Sequence, residues 1–273
     1  MERGSDLARQ AFEQEIGRPA ADLDLGRAAL IAAWGFNSAL ELGPYLNRLD
    51  QWAAQVTDQL PVERYPLRVI QGLNRFFFET LGFRGNQGNY YDPANSFLDQ
   101  VLDRRLGIPI TLSLVYREVA RRVGFPLVGI GLPGHFLLKP DFPEAGIFVD
   151  CFHGGELLFP EDCETLLTRV YQQPVALKPE FLEPVSDQTW LRRLLTNLKL
   201  IYLRQQAWPE ALVATDRLVL LSPTDPLERR DRGIVRYQLG DWRPAADDLR
   251  LYVEACPNAE DSPAIQRLLD ALS

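Results

Sequence analysis

Between residues 124 and 159 an otherwise helical chain breaks into short apolar runs divided by turns, and this segment limits the folds open to it. The runs at 127–132, 135–139, 147–150 and 156–159 are four to six residues long, and Pro133-Gly134 separates the first two. Consecutive runs of that length joined by turns read as strands of a small antiparallel sheet. Helical patterns come before them, at 6–20 and 27–34. Leu46, Leu49, Ala53, Val56 and Leu60 share one helical face, and a further pattern after Pro66 carries Val69, Ile70, Leu73, Phe76, Phe77 and Leu81. Residues 82–94 read as loop, Asn95-Ser96 as the cap of a helix through Leu102, and 110–123 as a helix stopped by Gly124. Helices followed by a small sheet give an α+β fold class.

From residue 187 to the end the pattern is helical and repeats. Trp208 and Trp242 lie 34 positions apart, as do Ala211 and Ala245, Leu203 and Tyr237, and Pro223 and Pro257. That is the helix–turn–helix period of the tetratricopeptide repeat, with Gly233 at its close-packing position. The expected organisation is an α+β domain over 1–183 and a repeat-like, all-α tail over 187–273. Pro174, Pro179 and Pro184 stiffen the connection between them.

Composition narrows the function classes. With 46% hydrophobic residues in 273, the chain can bury a sizeable core. It carries 29 basic and 37 acidic residues, a net charge of −8, without the basic stripe of nucleic-acid binders. Neither nucleic acid nor a membrane surface is an expected partner. No apolar run reaches the roughly 18 residues of a spanning helix, and the N-terminus shows no secretory h-region. Cys151, Cys163 and Cys256 are widely spaced with no Cys-x-x-Cys pair, which fits a reducing, cytoplasmic setting.

Both histidines, His135 and His153, fall in one segment with Asp150 and Cys151. A histidine on one strand facing an aspartate on the next is a common way to orient a general base, and equally a common structural hydrogen bond. These four residues are acceptable zinc ligand types, but their spacing matches no closed site and strand alternation divides them, so no metal is expected. No cofactor is expected either.

Several stretches resemble the SirB1 family. They are Asn89-Tyr90-Tyr91-Asp92-Pro93-Ala94-Asn95-Ser96-Phe97-Leu98, then Val101-Leu102-Asp103-Arg104-Arg105-Leu106-Gly107-Ile108-Pro109-Ile110-Thr111-Leu112-Ser113. Val119-Ala120-Arg121-Arg122-Val123-Gly124-Phe125-Pro126-Leu127, Leu132-Pro133-Gly134-His135-Phe136-Leu137-Leu138 and Phe148-Val149-Asp150 continue the match. The family is similar to the transglutaminase-like superfamily. The resemblance therefore implies a papain-like core with a Cys–His–Asp triad whose cysteine opens a helix. His135 matches the histidine and Asp150 the aspartate. Counting back from Gly124, the place of the cysteine falls on Ile110, which has no lone pair to attack a carbonyl. SirB1-type sequences share that loss. The motif residues Asn95, Tyr91 and Thr111 are implied as groove-lining. The plainer reading has Asn95 cap a helix and Tyr90 and Tyr91 pack with exposed hydroxyls.

Two functions follow as expectations. The first is a non-catalytic transglutaminase-like protein that acts in protein–protein interaction or regulation, its protein or peptide partner engaged by the repeat-like tail. The second is an atypical peptidase, amidase or acyltransferase that uses His135 and Asp150 with Thr111, Ser113 or Cys151 as nucleophile. On a strand Cys151 faces away from Asp150. Cys163, near the start of a helix after Pro160, is placed for a lowered thiol pKa but has no imidazole paired to it in sequence.

Overall fold

A computed structural model describes residues 2–142 and 145–272, the side chains of residues 2–5 excepted. The chain forms two compact units. One comprises Pro19–Trp34 and Ala39–Leu191; the other joins the N-terminal residues through Arg18, Gly35–Ser38, and the chain from Arg192 onward. Helix α1 (Glu2–Ile16) thus belongs with the tail.

The first unit opens with α2 (Leu25–Trp34), α3 (Leu42–Gln59) and α4 (Pro66–Asn74). The Leu/Ala-rich α2 is apolar nearly all round and is buried accordingly. Pro66 occupies the first turn of α4, where its missing N–H costs nothing. A π-helical turn, Arg75–Thr80, extends α4 and buries Phe76 and Phe77.

The 82–94 segment is not wholly irregular. Its β1 (Arg84–Gly85) pairs in parallel with β2 (Leu106–Gly107), with α5 (Leu98–Arg104) between them. Helix α6 (Pro109–Arg122) follows and ends before Gly124, whose φ of 81° is the left-handed value a helix stop requires. Buried along most of its length, α6 packs against α3 and the sheet.

That sheet has five antiparallel strands in the order β6-β5-β4-β3-β7. They are β3 (Leu127–Ile130), β4 (Leu137–Pro140), β5 (Phe148–Asp150), β6 (Glu156–Leu158) and β7 (Pro184–Val185). Gly129 pairs with Leu138, Leu138 with Val149, and Phe148 with Leu158. Helix α7 (Pro160–Tyr171) adds Cys163, Leu166 and Leu167 to a core with Ile130, Leu137, Phe148 and Leu158. The proline-punctuated connection is therefore part of the sheet, because β7 pairs Val185 with Gly129. His135, expected on the second strand, lies in the turn before β4.

Helix α8 (Asp187–Gln205) gives its first turn to this unit, where Trp190 is fully buried against Phe136, ring centroids 4.4 Å apart. The indole N–H donates to the Ile110 carbonyl at 3.3 Å. A Cβ on Gly129 would lie 2.5 Å from the indole and 2.7 Å from the Phe136 ring, so only glycine fits there.

The second unit contains α9 (Trp208–Leu221), α10 (Pro226–Gln238), α11 (Trp242–Ala255) and α12 (Ser262–Asp270). The repeat is visible position by position. Trp208 and Trp242 open α9 and α11, Ala211 and Ala245 are fully buried, and Pro223 and Pro257 follow the helix ends. Gly233 lets α10 meet α11, since a Cβ there would sit 2.7 Å from Leu249.

Gly129→Ala provides a direct check on the packing. Backbone propensity alone favours alanine in a strand by about 0.5–1 kcal/mol. The contact with Trp190 reverses the sign, and urea unfolding is expected to show a loss of about 1–3 kcal/mol.

Candidate functional site

Three chain segments meet at the end of β5. Asp150 is fully buried, and its side chain accepts four hydrogen bonds. Its Oδ1 takes the backbone N–H groups of Phe152 (2.9 Å) and His153 (3.2 Å), which caps the short 3₁₀ turn Cys151–His153. Its Oδ2 takes His135 Nε2 and His153 Nδ1, both at 2.8 Å. Every histidine in the chain thus converges on a single carboxylate oxygen.

The electrostatics follow from this geometry. Burial alone would raise the Asp150 pKa; the bonds from His135 and His153 and their charges outweigh it and hold the carboxyl well below the usual range. An ionised Oδ2 can only accept, so both facing ring nitrogens must carry protons. The bond to Asp150 raises the His153 pKa against its partial burial. The two imidazoles stack with centroids 5.7 Å apart, and Phe152 stands edge-on to both.

The turn that carries His153 is fixed from behind. Gly155 N–H donates to the Asp150 carbonyl at 2.8 Å, and Asn74 Nδ2 donates to the Gly155 carbonyl at 2.7 Å. Tyr116 Oη donates to Asn74 Oδ1 at 2.9 Å. A Cβ on Gly155, whose φ is 79°, would lie 2.3 Å from that Asn74 oxygen. Gly85 makes room for Phe152 in the same way, at 2.6 Å from an added Cβ. Asn74 and Tyr116 escape sequence reasoning because their link to Asp150 is purely tertiary, and Phe152 and Gly155 because theirs runs through backbone N–H groups of a local turn.

The other expected site residues do structural work around this centre. Thr111 is fully buried at the start of α6, where its hydroxyl donates to the Asn95 carbonyl (2.7 Å) and accepts from Ile108 N–H (3.1 Å). Ile110 is buried, and its carbonyl holds Trp190. Asn95 does not cap α5, whose N-cap is Phe97 with no side-chain bond. Instead the buried Asn95 amide donates to the carbonyls of Asn89 (2.8 Å) and Tyr90 (3.1 Å) and accepts from Asn86 Nδ2 (3.0 Å). An amide that can pin a whole loop wins over a cap that satisfies one N–H. Tyr91 is 62% exposed, and Tyr90 packs edge-on against Phe152.

The Cys151 and Cys163 thiols are both held up in pKa. Burial first, and then the charge of Asp150, pushes the Cys151 thiol well up. Cys163 corrects the expectation of a lowered pKa: burial, followed by Asp162, Asp150 and Glu161, raises it to about 11. The helix-start field is outweighed by desolvation and by its acidic neighbours.

Strand alternation does not divide His135, Asp150 and His153, because both histidines lie in turns. Among the described residues these three bring ligand atoms within 4.8 Å of one another and form the set that could hold a metal ion. Cys151 is not in that set. In the structure as it stands, each imidazole directs one ring nitrogen to Asp150 Oδ2.

Comparison with known proteins agrees with this architecture. Residues 44–196 match the transglutaminase-like superfamily, and residues 198–270 match the tetratricopeptide repeat. The chain belongs to the transglutaminase-like superfamily. A UPF0162 protein of Xylella fastidiosa is 37% identical over 218 residues, which is 78% of this chain and 76% of that protein. A UPF0162 protein of Vibrio cholerae is 36% identical over 73% of this chain and 74% of its own length. Protein SirB1 of Salmonella typhimurium is 28% identical over 84% of each. The resemblance read from the motifs is thereby borne out, as is the order of a transglutaminase-like α+β domain before helical repeats. No solved structure matches the chain.

His153→Phe keeps a ring but removes one bond to Asp150. A raised histidine pKa means that protonation stabilises the fold fully below the unfolded value near 6.5 and loses that effect as pH rises through the folded value. The substitution is expected to cost about 1–2 kcal/mol at pH 5.5 and less at pH 8.5, by urea unfolding at both. Thr111→Val removes the bonds to Asn95 and Ile108 and is expected to cost about 1–2 kcal/mol at either pH.

Proposed function

We propose that this transglutaminase-like protein is a binding protein rather than an acyl-transfer enzyme. The observation that carries the reading is the saturation of Asp150 by two imidazoles and two backbone N–H groups. In that arrangement the His135–Asp150 pair serves as a clamp joining the 133–136 turn to the end of β5. Ile110 stands where the superfamily's cysteine is implied. Thr111 is consumed by the start of α6, and the Cys151 thiol is kept neutral by burial. A thiol that stays protonated is a poor nucleophile.

The tetratricopeptide match at 198–270 supports a protein or peptide partner, since such repeats build extended recognition surfaces. A regulatory role and a cytoplasmic location belong to the same proposal. The three cysteines are unpaired, which suits a reducing compartment, and no helix of the described residues is long and apolar enough to cross a membrane.

The competing reading keeps His135 and Asp150 as a working dyad, favoured by their 2.8 Å bond. Incubation with p-nitrophenyl acetate, followed by intact-mass analysis, separates the two. The proposal predicts no acyl adduct and no burst, and His135→Ala changes only the unfolding midpoint. A burst with an adduct on Thr111, Ser113 or Cys151 that disappears in His135→Ala contradicts it.

A further inference from the structure

Two imidazole nitrogens and one carboxylate oxygen converge at the end of β5, and that is the donor set of a three-ligand zinc site. His135 Nε2 and His153 Nδ1 each lie 2.8 Å from Asp150 Oδ2, and the three ligand atoms stand within 4.8 Å of one another. Both N–H groups point at the same oxygen, so their positive ends repel each other. A single dication in their place attracts all three atoms at once. We infer that His135, Asp150 and His153 form a Zn²⁺ site, in which the ion replaces the two protons now offered to Oδ2.

The ion needs no cavity made in advance. Bonds of about 2.0–2.1 Å at tetrahedral angles hold ligand atoms roughly 3.3 Å apart. Each N···O distance of 2.8 Å therefore lengthens by roughly half an ångström on binding. Two imidazoles on one tetrahedral ion keep their centroids roughly 5–5.5 Å apart, close to the 5.7 Å already present. His153 supplies the movement, because its side chain is 27% exposed, against 4% for His135 and 0% for Asp150. The same exposed ring is the way in for the ion, and water takes the fourth position. A neutral ring carries its proton on the other nitrogen once the ion is bound, and a charged ring releases one proton to solvent.

The outer shell is built for this role. Asp150 Oδ1 accepts the Phe152 and His153 backbone N–H groups, which fixes the carboxylate and turns Oδ2 toward the two rings. Asn74 anchors the turn backbone through the Gly155 carbonyl, so the adjustment falls to the His153 side chain alone. Two nitrogen ligands and a single carboxylate oxygen suit Zn²⁺ and disfavour Mg²⁺ and Ca²⁺, which take oxygen sets. The inference goes beyond the partner-binding reading and does not rest on it. The bound ion takes over the clamp between the 133–136 turn and β5, and the repeat tail keeps its role.

The test uses the full chain, stripped with EDTA and titrated with ZnCl₂ by calorimetry, with ¹⁵N-labelled histidine followed in parallel. One Zn²⁺ per chain is expected to bind with a dissociation constant of about 10 μM or below. His135 Nε2 and His153 Nδ1 are expected to lose their protons and take metal-bound shifts, and the thermal midpoint is expected to rise. His153→Phe and His135→Phe are each expected to weaken binding at least about tenfold and to remove the rise in midpoint, and either folded variant suffices. Cys256→Ser, which removes the one thiol that is not buried among the three, is expected to bind like the parent. Millimolar Mg²⁺ or Ca²⁺ is expected not to displace the ion. Binding weaker than about 10 μM, ligation through His153 Nε2, or a midpoint that Zn²⁺ does not move overturns the inference. So does a folded histidine variant that keeps its affinity within about tenfold, loss of binding in Cys256→Ser, or displacement by Mg²⁺ or Ca²⁺.

Discussion

A fully buried aspartate is expensive unless its charge is met from several sides, and Asp150 is met from four. Each donor belongs to a different structural decision. His135 brings in the turn before β4, the Phe152 and His153 amides shape the 3₁₀ turn after β5, and the His153 ring folds back over both. Asn74 reaches that turn from α4 through Gly155, and Tyr116 reaches Asn74 from α6. One carboxylate thus ties the end of β5 to two helices. Without it two imidazoles and two amides would lose their acceptor in a largely buried site.

The start of α6 is organised by a second, neutral hub. The Thr111 hydroxyl links the Asn95 loop to the helix start, and Gly107 must be glycine because a Cβ would lie 2.8 Å from that hydroxyl. Asn95 in turn fixes the backbone at Asn89 and Tyr90. Within residues 86–111, Asn86, Asn95 and Thr111 thus link loop and helix start in one hydrogen-bonded chain.

The sequence made some of this legible and concealed the rest for identifiable reasons. Trp208 and Trp242 announced α9 and α11 because identical helix pairs repeat their contacts at a fixed spacing. Gly124, Pro133 and Gly134 marked element ends through their backbone preferences, so the strands β3 to β6 stood where the apolar runs lay. His135 and Asp150 stand out as a pair both from neighbouring apolar runs and from the family motif, but the run that carries His135 becomes a strand only two residues later. The role of His153 needs a local turn and a long-range partner at once, and no periodicity encodes that. Strand β7 hid in a proline-rich connection because two residues suffice to pair with a strand already in place. Asn95 offered a plausible cap from sequence, and only tertiary structure shows three better partners for its amide.

The central claim is that an ionised Asp150 holds both imidazoles by accepting from each. The ¹⁵N shifts of the two histidine rings, followed into alkaline solution, test it directly. The account predicts His135 protonated at Nε2 and His153 protonated at Nδ1, the rarer tautomer in solution, with both assignments lost in Asp150→Ala. Finding His153 protonated at Nε2, or His135 at Nδ1, would contradict it.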